Sequence, residues 1–322
     1  IQPLLAQENN QPFDLSQDGM LRASLIQITG GSPFEAVFTL AVHHIACDGW
    51  SLNILMDEIT RCYNALLAGT LPSFAPLSLQ YTDYAVFQST KAEQQKFARQ
   101  LDYWQSKLAE LPAQHPVPLD ERRPLVRNRV GKAVSQYLSA DDVKQIDRFC
   151  RSQGLTRFMV LHAALALTLS RYGYSDDIVI GTPVANRQRK QLEDIVGFFV
   201  NTLVLRVATN HETVQEYLAH VKTTNIEALA NQDLPFQHLV ESLGIEPSEQ
   251  HTPLFQIMLS VEESRHDKLA MGEATFSIME NEAPGALCDL DFNVTYTDDT
   301  ASIDLVFDPT LFCTQRMAVM LK

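Results

Sequence analysis

FTLAVHHIACDGWSL, residues 38–52, decides how this chain is read. An apolar run ends on two adjacent histidines, and an aspartate and a glycine follow within five residues. Upstream, LRASLIQIT (21–29) and EAVFTLAVH (35–43) flank GGSP, which predicts two antiparallel strands joined by a tight turn. From Ser51 the period changes, because Leu52, Leu55, Ile59, Cys62, Tyr63 and Leu66 share one helical face and Gly69 offers a stop. The histidines therefore lie on a strand-to-helix loop.

Such a loop holds an imidazole rigidly, and an unperturbed histidine pKa of about 6.5 suits proton transfer near neutrality. His43 and His44 alternate across the strand end, so only one of them faces a given cavity. Asp48 can turn back onto a backbone N–H or an arginine and fix the loop. Gly49 permits a backbone conformation closed to other residues and leaves an N–H open to close approach. Taken singly, each of these residues is as well explained by structure as by chemistry.

The 322 residues are 45% hydrophobic and 20% charged, a globular composition that predicts two domains or lobes. A net charge of −14 argues against a nucleic-acid phosphate backbone or an anionic membrane as partner. The longest apolar stretches, such as FMVLHAALALTL (158–169), fall short of the roughly 18–20 residues that a membrane span needs. Five cysteines, at 47, 62, 150, 288 and 313, form no CxxC pair and predict reduced thiols in a cytoplasmic protein, with no disulfide framework and no zinc site. Cys47 has apolar neighbours and nothing nearby that lowers a thiol pKa. The sequence lacks G-x-S-x-G, P-loop, G-x-G-x-x-G and H-E-x-x-H patterns, so serine hydrolase, nucleotide-binding and zincin chemistries have no local support.

Further along, a helix is predicted near 92–110, and PAQHPVPLDERRP (112–124) concentrates proline and charge as a linker does. This places an N-terminal lobe at 1–122 and a C-terminal lobe at 123–322. A strand at 132–138 precedes Ser139 as an N-cap with Asp142 three residues on, and two helical patterns end near Gly154 and Gly173. Strands are predicted at 177–182, 202–208, 255–261, 288–296 and 301–307, and helices near 213–230 and 235–243. The fold class is α/β, in a two-layer α+β sandwich with the late strands antiparallel.

At this point VHHIACDGWS (42–51) resembles the HHxxxDG motif of nonribosomal peptide synthetase condensation domains. Four more segments match the same family in order: YTDYAVFQ (81–88), IGTPVANRQRKQLEDIVGFFVNTLVLR (180–206), NQDLPFQHLVESL (231–243) and TPLFQIMLS (252–260). The resemblance implies a chloramphenicol-acetyltransferase-like fold of two lobes in a V, with the active site at their junction. It implies amide formation, in which the amine of a carrier-bound aminoacyl thioester attacks a carrier-bound acyl or peptidyl thioester. The partners implied are upstream and downstream peptidyl carrier proteins and an adjacent adenylation domain. No cofactor is bound by the domain itself, and the 4'-phosphopantetheine arms belong to the carriers.

By the same resemblance His44 matches the residue at the reaction centre, as general base or as an orienting hydrogen bond. Asp48 matches a structural aspartate, Gly49 the glycine beside the reacting carbonyl, and His43 the wall of the site. Trp50 and Asn201 are candidate substrate contacts, Asn201 as the one polar residue in an apolar strand. The family's two earliest motifs precede Ile1, and the second of them carries the arginine that pairs with the aspartate; Asp48 is therefore expected to lack its partner. An epimerization domain shares the histidine core but lacks the glycine and tryptophan of DGWS. A noncatalytic docking module of the same fold, recruiting a carrier protein or a tailoring enzyme, is the rival from another class.

Overall fold

Strands β1 (Leu21–Ile28) and β2 (Glu35–Val42) pair antiparallel in full register, Leu21 opposite Val42 and Ile28 opposite Glu35. The structure is a computed structural model that describes residues 4–5, 7–8, 11–28, 35–263, 271–274, 276, 279, 285–297 and 299–322. The turn expected at GGSP lies outside the described residues. Helix α1 (Gly49–Leu67) follows the histidine loop, beginning two residues before the apolar periodicity because Asp48 caps it. Helix α2 (Tyr81–Gln88) is the YTDYAVFQ segment.

By its internal contacts the chain divides into two units. The first draws on Ile1–Phe87, Arg187–Val200 and Leu269–Thr275; the second draws on Gln88–Asn186, Asn201–Lys268 and Phe276–Lys322. This division differs from the boundary at 122/123 read from the sequence. The physical reason is helix α3 (Lys91–Lys107), whose Phe97 and Trp104 pack with Leu203, Leu205, Leu239 and Phe255 in the second unit's core. Trp104 Nε1 donates to the Asn231 carbonyl at 2.9 Å, and Gln100 accepts from Leu234 N–H at 2.8 Å. The proline-rich 112–124 stretch is likewise anchored rather than free. His115 Nε2 lies 3.1 Å from Asp289, Arg123 forks onto the same carboxylate, and all three side chains are buried.

The second unit is built on a six-stranded sheet in the order β3-β8-β7-β6-β4-β5. The strands are β3 (Lys132–Leu138), β4 (Asp177–Val184), β5 (Asn201–Ala208), β6 (Ile257–Glu263), β7 (Leu290–Tyr296) and β8 (Ala301–Phe307). All six begin and end within two residues of the ranges read from the sequence, since inward residues such as Ile178, Ile180, Leu205 and Leu290 are at most 1% exposed. The expectation of antiparallel late strands holds for β7 with β8 but not for β6, which runs parallel to both β7 and β4. Periodicity fixes which face is buried and carries no information on strand direction, and the connections that reverse it are long.

Helices α4 (Ala140–Gln153), α5 (Arg157–Gly173), α6 (Val214–Ala230), α7 (Phe236–Ser242) and α8 (Thr314–Met320) belong to the same unit. The capping box predicted at Ser139 and Asp142 is present, as is another at Thr213 and Glu216. Helix α4 ends on Gly154 at φ 60°, a left-handed position that glycine takes without a Cβ penalty. Leu169, Ile257, Leu259, Leu305, Phe307 and Phe312 join one core between helices and sheet, each 2% exposed or less. The helix predicted near 235–243 is present as α7, with Leu239 and Val240 buried. All five cysteines are free, and no described helix is long and apolar enough to cross a membrane.

Candidate active site

The first unit carries the HHxxxDG stretch. Past the end of β2, His43 N–H still donates to the Met20 carbonyl at 2.9 Å, which continues the ladder by one residue. The chain then turns, with Ala46 N–H on the His43 carbonyl and Ile45 N–H on His43 Nδ1 at 3.1 Å. His43 is half-buried, its ring edge-on to Phe13 with centroids 5.7 Å apart. One ring nitrogen of His43 thus braces its own loop. His44 is exposed, and its ring meets Phe198 edge-on, with centroids 5.2 Å apart and planes at 88°.

Asp48 is the N-cap of α1, accepting from Ser51 N–H at 2.9 Å and from Ser51 Oγ at 2.7 Å. A carboxylate here also meets the positive end of the helix dipole. Its second oxygen accepts from Phe199 N–H at 3.0 Å. Arg187 Nη2 lies 3.1 Å from Asp48, with both side chains at most 3% exposed. Burial pushes the Asp48 carboxyl upward, but the Ser51, Phe199 and Arg187 interactions together outweigh it and hold it below the usual carboxylate range. The expected lack of a partner is therefore corrected: Arg187, from within the 180–206 segment, supplies the pairing cation.

Arg187 employs both terminal nitrogens of its guanidinium, while its buried Nε has no hydrogen-bond partner among the described residues. Nη1 donates to the Leu192 carbonyl and to the Ile195 carbonyl at 2.7 Å, Nη2 reaches Ser51 Oγ at 2.8 Å, and the guanidinium stacks 4.1 Å from the centre of the Phe199 ring. Ser51 is completely buried; its hydroxyl has the Asp48 carboxylate at 2.7 Å and the Gly197 carbonyl at 3.0 Å as acceptors for its one proton, and it accepts from Arg187 and from Gly197 N–H at 3.0 Å. Leu192, Ile195 and Phe199 form a small core against Tyr81 and Tyr84 of α2. That packing accounts for YTDYAVFQ. Gly197 has no alternative residue here, because a Cβ would drive into the Tyr81 ring.

Gly49 behaves otherwise than expected. It opens α1 without adopting a left-handed φ, and a Cβ built on it meets nothing within 4 Å among the described residues. What glycine contributes there is room, not an unusual backbone. Trp50 donates its indole N–H to the Glu193 carbonyl at 2.9 Å, so its polar end is a structural tie. Cys47 is buried, and burial together with the adjacent Asp48 pushes its thiol pKa up, away from nucleophilic use.

Asn201 is not brought into this unit; it begins β5 in the other. Its amide donates to the Gln232 and Leu234 carbonyls, each at 2.8 Å, and accepts from Phe236 N–H at 3.0 Å. The polarity noticed in the sequence is spent on joining a strand to the loop before α7. The aromatic pair of GFFVNTLVLR is likewise divided. Phe199 is core and Phe198 is 41% exposed, and both precede the strand rather than belonging to it. Sequence reasoning missed Ser51, Arg187, Tyr81 and Phe198; only Ser51, three residues after Asp48, had a local signal, the spacing of a capped helix start. Among the described residues no group of three or more His, Cys, Asp or Glu side chains is placed to hold a metal ion.

Comparison with known proteins agrees with the family that the motifs resemble. A family model described as "Condensation domain" matches residues 1–322. The dimodular nonribosomal peptide synthase of Bacillus subtilis (strain 168) is 36% identical over 297 residues, covering 90% of this chain and 12% of that protein. The phosphinothricin tripeptide synthetase PhsC of Streptomyces viridochromogenes is 35% identical over 263 residues, covering 81% of this chain and 24% of that protein. The chain thus spans a small part of the curated relatives it matches. Among solved structures, a complex of the X-domain and OxyB from teicoplanin biosynthesis aligns with TM-score 0.85 at 28% identity, over 99% of this chain and 71% of that one. The first condensation domain of the calcium-dependent antibiotic synthetase aligns with TM-score 0.75 at 20% identity, over 99% of this chain and 68% of that one, and shares the mixed α/β fold.

Proposed function

The chain belongs to the condensation-domain family of nonribosomal peptide synthetases, and from that premise we propose that it forms amide bonds between two carrier-bound substrates. The observation that carries this reading is the exposed His44 imidazole on a loop locked by Asp48, Ser51 and Arg187, with Gly49, where a Cβ meets nothing within 4 Å among the described residues, following in the same motif. The acceptor's amine attacks the donor's thioester carbonyl, a C–N bond forms and the C–S bond breaks. The proton lost by nitrogen is balanced by the one gained by the departing thiolate. His44 accepts or orients that proton, and the space beside Gly49 admits the reacting carbonyl.

Magnitudes favour placement as the larger contribution. A general base supplies about 10²–10⁴-fold, whereas fixing two tethered reactants reaches effective molarities of about 10⁵–10⁸ M. The phosphopantetheine arms enter as part of the substrates, carried by upstream and downstream carrier proteins, with an adenylation domain loading the acceptor.

A second reading has an observation of its own, the likeness to an X-domain held in complex with OxyB. On that reading the domain recruits another protein through its surface. The test uses the full synthetase polypeptide with both carriers loaded by their cognate adenylation domains, following amide formation by intact-protein mass spectrometry for wild type and His44→Ala. Product from wild type and a large loss in the variant supports condensation. No product from wild type while the carriers still bind supports recruitment.

A further inference from the structure

Phe198 is an exposed aromatic whose backbone is fixed on both sides. Gly197 N–H before it donates to Ser51 Oγ at 3.0 Å, and Phe199 N–H after it donates to Asp48 at 3.0 Å. Its own carbonyl accepts from Tyr81 Oη at 2.8 Å. Phe199 and Gly197 have packing reasons for their places, in the small core and against the Tyr81 ring. Phe198 has no such reason, since its side chain remains 41% exposed. What the ring does meet is the imidazole of His44, edge-on at 5.2 Å between centroids. That separation and the near-perpendicular planes are those of a favourable aromatic pair.

We infer that Phe198 is a positioning residue for His44, its ring held by the bracketed backbone so as to set the direction in which the imidazole projects. The inference rests on the reading that His44 faces the reacting groups. An exposed histidine on a turn otherwise has several rotamers open to it, and rate depends steeply on the geometry of a proton-accepting group. Asp48, Ser51, Tyr81 and Arg187 then act one step further back: they fix the Phe198 backbone and, through it, the ring that touches His44.

The test substitutes Phe198→Leu, with Phe198→Tyr as the conservative rescue, in the full polypeptide with loaded carriers. Expected for Phe198→Leu is a fall of about tenfold in kcat, part of what a positioned base supplies, with KM for the acceptor carrier within about twofold and the melting temperature unchanged. Phe198→Tyr restores kcat. In the 322-residue chain with labelled histidine, the His44 ring resonances move in Phe198→Leu and return in Phe198→Tyr. On a His44→Ala background, Phe198→Leu costs little more, as expected of residues acting as a unit. The inference is overturned if Phe198→Leu leaves kcat and the His44 resonances unchanged, if its effect is confined to KM, or if it adds in full to His44→Ala. A His44→Ala variant with wild-type rate instead removes the catalytic reading itself, a result the resonances do not depend on.

Discussion

Asp48 and Arg187 form a buried ion pair across 139 positions of sequence, with the aspartate capping the helix that follows the histidines. Both charges are also hydrogen-bonded elsewhere, Asp48 by Phe199 and Ser51 and Arg187 by two backbone carbonyls. Removing one partner strands the other in a dry site, at a cost of about 3–5 kcal/mol. Asp48→Asn or Arg187→Met is therefore expected to lower the urea midpoint sharply. The double variant should recover part of that loss, and a double-mutant cycle measures how much.

Gly49 separates fold from chemistry. A methyl at this position meets nothing within 4 Å among the described residues, and alanine is well suited to the first turn of a helix. Gly49→Ala should melt at or slightly above the wild-type temperature. If the space it fills is where the acyl carbonyl approaches, kcat/KM should fall at least tenfold all the same; unchanged kinetics would remove Gly49 from the site.

Asn201 gives the opposite pattern. Its amide satisfies two carbonyls and one N–H around the start of α7, and leaving such groups unpaired costs about 1–3 kcal/mol. Asn201→Ala should lose stability by that amount in denaturant titration while keeping kcat within about twofold, well below its melting temperature.

Stability should depend on pH through two histidines of the second unit, His162 buried and His220 half-buried. Burial pushes His162 down to about 4, against the opposing hydrogen bond with Asn225. Burial also lowers His220, whose Nε2 accepts from Ala208 N–H and so must be unprotonated. A histidine with a depressed folded pKa favours the folded state above its unfolded value near 6.5 and loses that contribution as pH falls toward the folded one. For His162 alone the loss between pH 6.5 and about 4 amounts to about 3 kcal/mol. Unfolding titrations across this range should show the slope for wild type and a shallower one for His162→Gln.

Most strands and helices were legible because they repeat apolar residues at a regular period: NTLVLRVA reads as a strand and is one, from Asn201 to Ala208, with Leu203, Leu205 and Val207 buried on one face. The parallel run of β6 beside β7 was not, since direction is decided by connections rather than by alternation. At the site, the loop and its helix were visible in fifteen residues of sequence, because a strand period gives way to a helical one at the motif. Arg187 was invisible. Within ANRQRKQ it looks like one more solvated charge, and only folding shows that it alone of the nearby basic residues is buried. Gly49 misled in the other direction, because a glycine before a helix suggests a special backbone when the structure uses only its lack of a side chain.

The distance between Asp48 and its clamp also sets an order of events during synthesis. Phe199, which closes the aspartate's second oxygen, is made 151 residues later; at about 5–20 residues per second this is an interval of roughly 8–30 s. For that time the nascent carboxylate has water where Arg187 and the Phe199 amide will stand. The histidine loop, made early, is thus among the last parts of its unit to settle on the ribosome.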